Sequence, residues 1–129
     1  VMAEAALVIP LLIGITFVIT EFGNVLYISN SLNQVARTMA RYAAVSQNYT
    51  TNGLLTSAGA SSVLNTSNIT TTITPAAGAS RNIGDTITVT LVYSYTPIVN
   101  PFRLFNSSSN WAPNLRTSAV SRSEVKQYP

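Results

Sequence analysis

The chain begins with a long apolar run. Residues 5–19 are uncharged and almost wholly apolar, and Glu4 and Glu21 flank them. In a helix, the span between these two carboxylates measures about 25 Å. That length is somewhat short of a hydrocarbon core of ~30 Å, so both glutamates would sit near opposite membrane interfaces. The pattern therefore predicts a membrane-spanning helix.

A cleavable signal peptide is the competing interpretation, because its apolar region has a similar length. However, no basic residue precedes the run, and the helical pattern continues past it without a turn. Both features favour a spanning helix over a removable signal.

Beyond this run, apolar residues recur at helical spacing up to residue 45. The whole helix would be a rod of about 65 Å, which we do not expect the rest of the chain to cover. We therefore expect its apolar stripe to contact helices of other copies, with small residues allowing close approach. Arg37 and Arg41, one turn apart, mark a more polar face. The stripe consists of Phe22, Val25, Leu26, Leu32, Val35, Ala36, Met39, Ala40 and Ala43.

Further positions within and before the apolar run are predicted to act in assembly. Pro10 lacks an N–H, and with Gly14 it marks a weak turn where the helix could kink or unwind, unless it is an ordinary membrane-helix proline. Glu4 is costly to desolvate without a partner. If Val1 is the processed terminus, its amino group on an adjacent copy would be such a partner, and a hydrated headgroup-level carboxylate is the alternative. The predicted assembly residues are Val1, Glu4, Pro10, Gly14, Glu21, Phe22, Leu26, Leu32, Arg37, Met39 and Arg41.

The remainder of the chain predicts a small β-rich head. Residues 51–65 suit a short amphipathic helix, although Gly53 and Gly59 weaken it. Residues 68–74 and 85–95 alternate as strands, and residues 114–124 predict a final, less regular one. We expect an α+β fold with two parts. Residues 1–45 form the helix, and residues 46–129 form a head whose antiparallel sheet has three or four strands.

Composition excludes several classes of function. The chain has no Cys and no His, which removes disulfides, thiolate nucleophiles and imidazole bases. Its seven cations are scattered, so nucleic acid is not an expected partner. Its four acids do not form an evident catalytic pair, with Asp85 and Glu124 more simply explained as a strand-end and a tail residue. We expect neither an enzyme, nor a metal site, nor a cofactor.

Asn-x-Ser/Thr sequons occur at four positions, Asn48, Asn65, Asn68 and Asn106. In a chain so rich in Ser, Thr and Asn, chance matches are the favoured explanation. Glycans on these loops are the alternative if the protein faces outward.

The order of several motifs resembles TadE-like pseudopilins. They are residues 4–14, the Glu21-Phe-Gly segment and residues 36–44 in the helix, followed by residues 84–97 and 122–124 in the head. The resemblance implies a tight-adherence type IV filament system, with a prepilin peptidase and an assembly platform as partners. The family's glutamate near the mature start corresponds to Glu4, although it is usually fifth in the mature chain and stands fourth in this sequence. Either cleavage leaves one residue fewer here, or the sequence begins one residue after the mature start.

The leading hypothesis is a structural subunit that enters the cytoplasmic membrane and then polymerises through its helix into an extracellular filament for surface attachment. A minor pseudopilin, retained in the membrane to prime or cap assembly, shares every motif. A membrane-tethered binding module is a third hypothesis, for which a concave apolar pocket with converging polar groups would be needed.

Overall fold

The computed structural model describes residues 1–98 and 112–126. One helix dominates it, and a small sheet packs against the second half of that helix. The elements in chain order are α1 (Met2–Val45), α2 (Thr51–Ser57), α3 (Ala60–Val63), a 3₁₀ turn (Thr66–Asn68), β1 (Ile69–Thr74), β2 (Thr86–Ser94) and β3 (Asn114–Arg122). The predicted α+β class is confirmed.

The predicted helix over residues 51–65 is present as two short helices. Thr50 caps the first, with its hydroxyl accepting from the Gly53 N–H at 3.0 Å. A Cβ on residue 53 would lie 2.8 Å from that hydroxyl, so glycine makes room for the cap. Gly59 has φ +67°, a left-handed conformation that separates α2 from α3. The two glycines that weakened the prediction are thus the residues that shape this segment.

The sheet is an antiparallel meander in the order β1-β2-β3. Its central strand, β2, places Ile87, Val89 and Leu91 in the core, all fully buried, while threonines occupy the opposite face. This is the alternation that the sequence predicts. Within residues 1–98 and 112–126 the sheet has three strands, and no fourth strand is present.

The core lies between α1 and the inner face of the sheet. Alanines at four helix positions let the strands approach the helix closely, and larger side chains from both elements fill the space between them. The residues on either side of the predicted division at 45 and 46 therefore share one core. The helix residues in it are Ile28, Leu32, Val35, Ala36, Met39, Ala40, Ala43 and Ala44.

This packing leads to a stability prediction. Leu91→Ala should lower the free energy of unfolding of the head by about 2–5 kcal/mol, because it empties a fully buried site in the middle of the core. Denaturant unfolding in detergent, followed by the near-UV circular dichroism of the tyrosines, measures the change. Ile83→Ala is the matched control, since Ile83 is exposed and the effect should stay within about 0.5 kcal/mol. Equal effects of the two variants would contradict this description of the core.

Candidate functional site

The most exposed apolar surface of the molecule is the first part of α1. Every large side chain from Leu7 to Ile19 in the described structure is exposed, and none of the most apolar stretch is buried by the rest of the chain. Within the described residues, α1 is the one helix long and apolar enough to cross a membrane. An apolar surface of this extent must be covered by lipid or by protein.

The helix is continuous through this segment. Pro10 lies inside α1 without ending it, and Gly14 continues it. The local unwinding predicted as an option at these residues is therefore absent from this conformation, and the kink stays a prediction. Val1 and Glu4 are both exposed at the free end of the helix. Their predicted pairing between copies stays a prediction.

Glu21 marks the point where the head begins. It is 4% exposed, and the hydroxyl of Tyr95, just past the end of β2, donates a hydrogen bond to its Oε2. The side chain of Asn24, one turn further on, donates to the same hydroxyl at 3.1 Å. Burial, and then the hydrogen bond to Glu21, raise the pKa of Tyr95 to about 12. We call Glu21, Asn24 and Tyr95 the lower anchor.

A second polar contact holds the head at the other end of α1. Arg81, in the loop between β1 and β2, is 2% exposed. Its Nη1 donates to the carbonyl of Ala43 at 2.5 Å, and its Nη2 donates to that of Ser46. These carbonyls lie at the helix C-terminus, where the macrodipole favours a cation. The guanidinium also lies 4.9 Å from the centre of the Tyr49 ring. We call Arg81 and Tyr49 the upper anchor.

Sequence reasoning missed the upper anchor. Arg81 stands in a polar loop about forty residues from the helix end that it caps, and nothing in the local pattern distinguishes it from an exposed arginine. Because Arg81 bonds to backbone carbonyls and not to an acidic side chain, its partners cannot be identified from residue types in the sequence. The hydroxyl of Tyr49 also donates to the carbonyl of Pro75 at 2.8 Å, which attaches the same loop.

Between the two anchors, the head covers one face of α1. This corrects the expectation that the second half of the helix exposes its apolar stripe. Leu32 and Met39, predicted to contact other copies, are 1% and 0% exposed and lie in the subunit's own core. These residues are buried because the aliphatic inner face of the sheet packs lengthwise on an alanine-rich face of the helix. The apolar stripe can therefore be covered without the head enclosing α1 on all sides.

The other predicted assembly residues of this half are exposed. Phe22 and Leu26 are exposed, and Tyr27 beside them is 58% exposed. Arg37 and Arg41 follow further along, also exposed. The apolar surface of residues 1–20 therefore continues past Glu21 on the side of the helix away from the head. Their role in assembly stays a prediction.

The candidate sequons differ in their surroundings. Asn48 and Asn65 are exposed, and Asn68 is half-buried. The Oδ1 of Asn65 accepts from the backbone N–H of Ser67 at 3.2 Å and from its hydroxyl at 2.6 Å, which caps the 3₁₀ turn. This cap gives Asn65 a structural role without a glycan. Asn106 lies outside the described residues.

The acids of the head also have structural roles. The carboxylate of Asp85 accepts from the N–H of Asn82 at 2.7 Å, in the turn before β2. The backbone N–H of Glu124 donates to the carbonyl of Ala44 at 2.8 Å, which ties the end of β3 to the end of α1. In the part of the chain that the structure describes, no group of three or more acidic, histidine or cysteine side chains could hold a metal ion.

These observations define a class of protein: a small α+β head anchored at two points on a helix whose first half is free to enter a membrane. Comparison with known families bears on the helix, since the family model described as TadE-like protein matches residues 1–41. The predicted TadE-like resemblance is thus confirmed over most of α1. It stays a prediction for residues 84–97 and 122–124 of the head. No curated protein and no solved structure matches the chain.

TadE-like proteins are structural components associated with the Tad pilus, and they are not known as enzymes. The matched segment contains the exposed apolar surface of α1 from Leu7 to Tyr27 and the lower-anchor residues Glu21 and Asn24. It ends before the residues that the upper anchor caps. The family likeness therefore lies in the part of the molecule that its own head leaves largely uncovered.

The lower anchor gives a pH prediction. Tyr95 ionises near pH 10 in the unfolded chain and at about 12 in the folded one. Its contribution to stability is therefore fully present below pH 10 and is lost as the pH rises from 10 towards 12. Tyr95→Phe should remove much of the loss of stability between these pH values. At pH 8 it should also cost about 1–3 kcal/mol, because a buried carboxylate loses a donor.

Denaturant unfolding at a series of pH values from 8 to 11.5 measures both effects. Tyr42→Phe is the matched control, because Tyr42 lies on α1, the helix that carries Glu21, and is exposed. An unfolding profile of Tyr95→Phe that falls with pH as steeply as that of Tyr42→Phe would contradict the assignment.

Proposed function

We propose that the chain is a structural subunit of a Tad-type pilus, which polymerises through the exposed surface of α1 into an extracellular filament. The observation that carries this proposal is the extent of that surface. It includes residues 1–20 and continues past Glu21 through Phe22, Leu26 and Tyr27, on the side away from the head. The TadE-like match over residues 1–41 supports it.

The distribution of this surface favours assembly over simple anchoring. A membrane anchor needs about 20 apolar residues, and the segment before Glu21 supplies them. Phe22, Leu26 and Tyr27 lie beyond the carboxylate that we place at the interface. A bilayer would cover such residues only as an interfacial aromatic belt, whereas neighbouring helices in a filament would bury them completely.

In this proposal, the subunit is first held in the cytoplasmic membrane by residues 5–19. A prepilin peptidase and a pilus assembly platform then process it and move it into the filament. There, the exposed part of α1 exchanges lipid for the helices of other copies. Glu4 of one subunit would pair with the amino terminus of another processed subunit and set their axial register. A carboxylate that assembly removes from water needs such a partner, because a buried charge without one is strongly destabilising.

The proposal predicts that the double variant Phe22→Ser/Leu26→Ser is processed and inserted in the membrane but yields no filaments. Both substitutions replace exposed apolar side chains with polar ones, so the core and both anchors stay intact. Electron microscopy of sheared cell-surface material, with immunoblots of membrane and sheared fractions, measures the outcome.

The matched control is Ile83→Ser/Val120→Ser, which removes two exposed apolar side chains from the head and should leave filaments unchanged. Filaments of normal abundance from the Phe22→Ser/Leu26→Ser variant would contradict assembly through this surface. If the unaltered chain stays in the membrane fraction and no fibre contains it, the structural role is wrong and the minor-pseudopilin role takes its place.

A further inference from the structure

A groove runs between α1 and the outer edge of β3. The two elements lie side by side in the same direction, because Thr117 bonds to Asn33 near one end and the Glu124 N–H bonds to Ala44 near the other. The groove between these contacts has a volume of about 410 Å³. Small side chains line its middle, Ala40 from the helix and Ala119 from the strand.

The strand side of the groove offers backbone hydrogen-bonding groups. β3 pairs with β2 along one edge only, and in the described part of the chain no strand pairs with the other edge. An unpaired edge presents a row of N–H and C=O groups that can accept a further extended chain. Ser118 and Val120 on this stretch are exposed and line the groove.

The helix side of the groove is basic. Arg37 and Arg41 line it, and both are exposed. Within residues 1–98 and 112–126, neither guanidinium has a carboxylate at salt-bridge distance. Positions four apart on a helix are separated by about 6 Å along its axis. Alternate residues of a strand are separated by about 6.6–6.8 Å, so two side chains on one face of an added strand match this spacing.

We propose that this groove binds an extended acidic peptide segment of a partner protein, which adds to β3 as a fourth strand. Two carboxylates at alternate positions of that segment pair with Arg37 and Arg41. The site rests on the fold alone and holds whether or not the chain polymerises.

A lipid headgroup would supply the same charge, but the position disfavours it. Arg37 lies about 24 Å further along the helix than Glu21, where the uncovered membrane segment ends. Headgroups at that interface would be out of reach of both arginines. A phosphate would also leave the edge of β3 unpaired, whereas an extended peptide uses both sides of the groove.

The test uses the full chain in neutral detergent and a fluorescent peptide, Thr-Val-Glu-Val-Glu-Val-Thr, in an anisotropy titration. Saturable binding is expected. Arg37→Gln/Arg41→Gln should weaken it roughly three- to tenfold, as the loss of two exposed ion pairs would. Arg116→Gln/Arg122→Gln removes the same charge from the exposed outer face of β3 and should leave the affinity unchanged.

Two further arms separate strand addition from general attraction of anions. A peptide methylated at alternate backbone nitrogens keeps its charges but cannot pair with β3, so its binding should be lost. The reversed variant Arg37→Glu/Arg41→Glu should prefer the peptide with Lys in place of Glu, a gain that unfolding cannot produce.

The proposal is overturned if the methylated peptide binds as well as the parent, or if the two glutamine variants lose affinity equally. It is also overturned if polyphosphate, which has no strand backbone, displaces the peptide from Arg37 and Arg41 at the same charge concentration. Absence of any saturable binding by the unaltered chain contradicts it directly.

Discussion

The alanine-rich face of α1, packed lengthwise against β2, determines the arrangement of the whole molecule. It is the contact through which the strands bury their aliphatic face, and nearly all of the described core lies along it. Polar contacts fix its two ends. The lower anchor holds the end of β2 at Glu21, and the upper anchor holds the loop before β2 at the C-terminus of α1. Together they span about 33 Å of a helix about 66 Å long.

The exposure of the first half of α1 is a consequence of that fixed contact. Because the sheet begins at Glu21, none of the described residues outside α1 covers residues 1–20, which have the length and apolarity of a membrane span. The covered face also leaves its opposite side free, so Phe22 and Leu26 extend the apolar surface beyond the span. One packing interaction therefore leaves exposed both a segment long enough to span a membrane and an apolar surface beyond it, and both lie within the residues that the TadE-like family model matches.

The periodicity of apolar residues was sufficient to predict the helices and strands but not which of them pack together. The two-residue alternation of β2 predicted its buried face, because the pattern depends only on local geometry. The apolar stripe on α1 was also predicted from the sequence, but the predicted contact with other copies was wrong for Leu32 and Met39. A helical pattern of apolar residues does not indicate which element covers them. The two anchors could not be predicted for the same reason, because a local pattern does not indicate contacts with distant residues. Glu21 and Tyr95 are 74 residues apart, and Arg81 bonds to backbone carbonyls that any sequence possesses.

The central claim is that α1 has a free half and a half whose inner face is covered by its own head. The chain has no cysteine, so single cysteines can report on each position. Leu12→Cys, Leu26→Cys and Ala40→Cys variants would be treated with a short bismaleimide in sheared surface material. The account predicts crosslinked dimers through residues 12 and 26, and none through residue 40, which is 2% exposed. Crosslinking through residue 40, or its absence at both exposed positions, would contradict it.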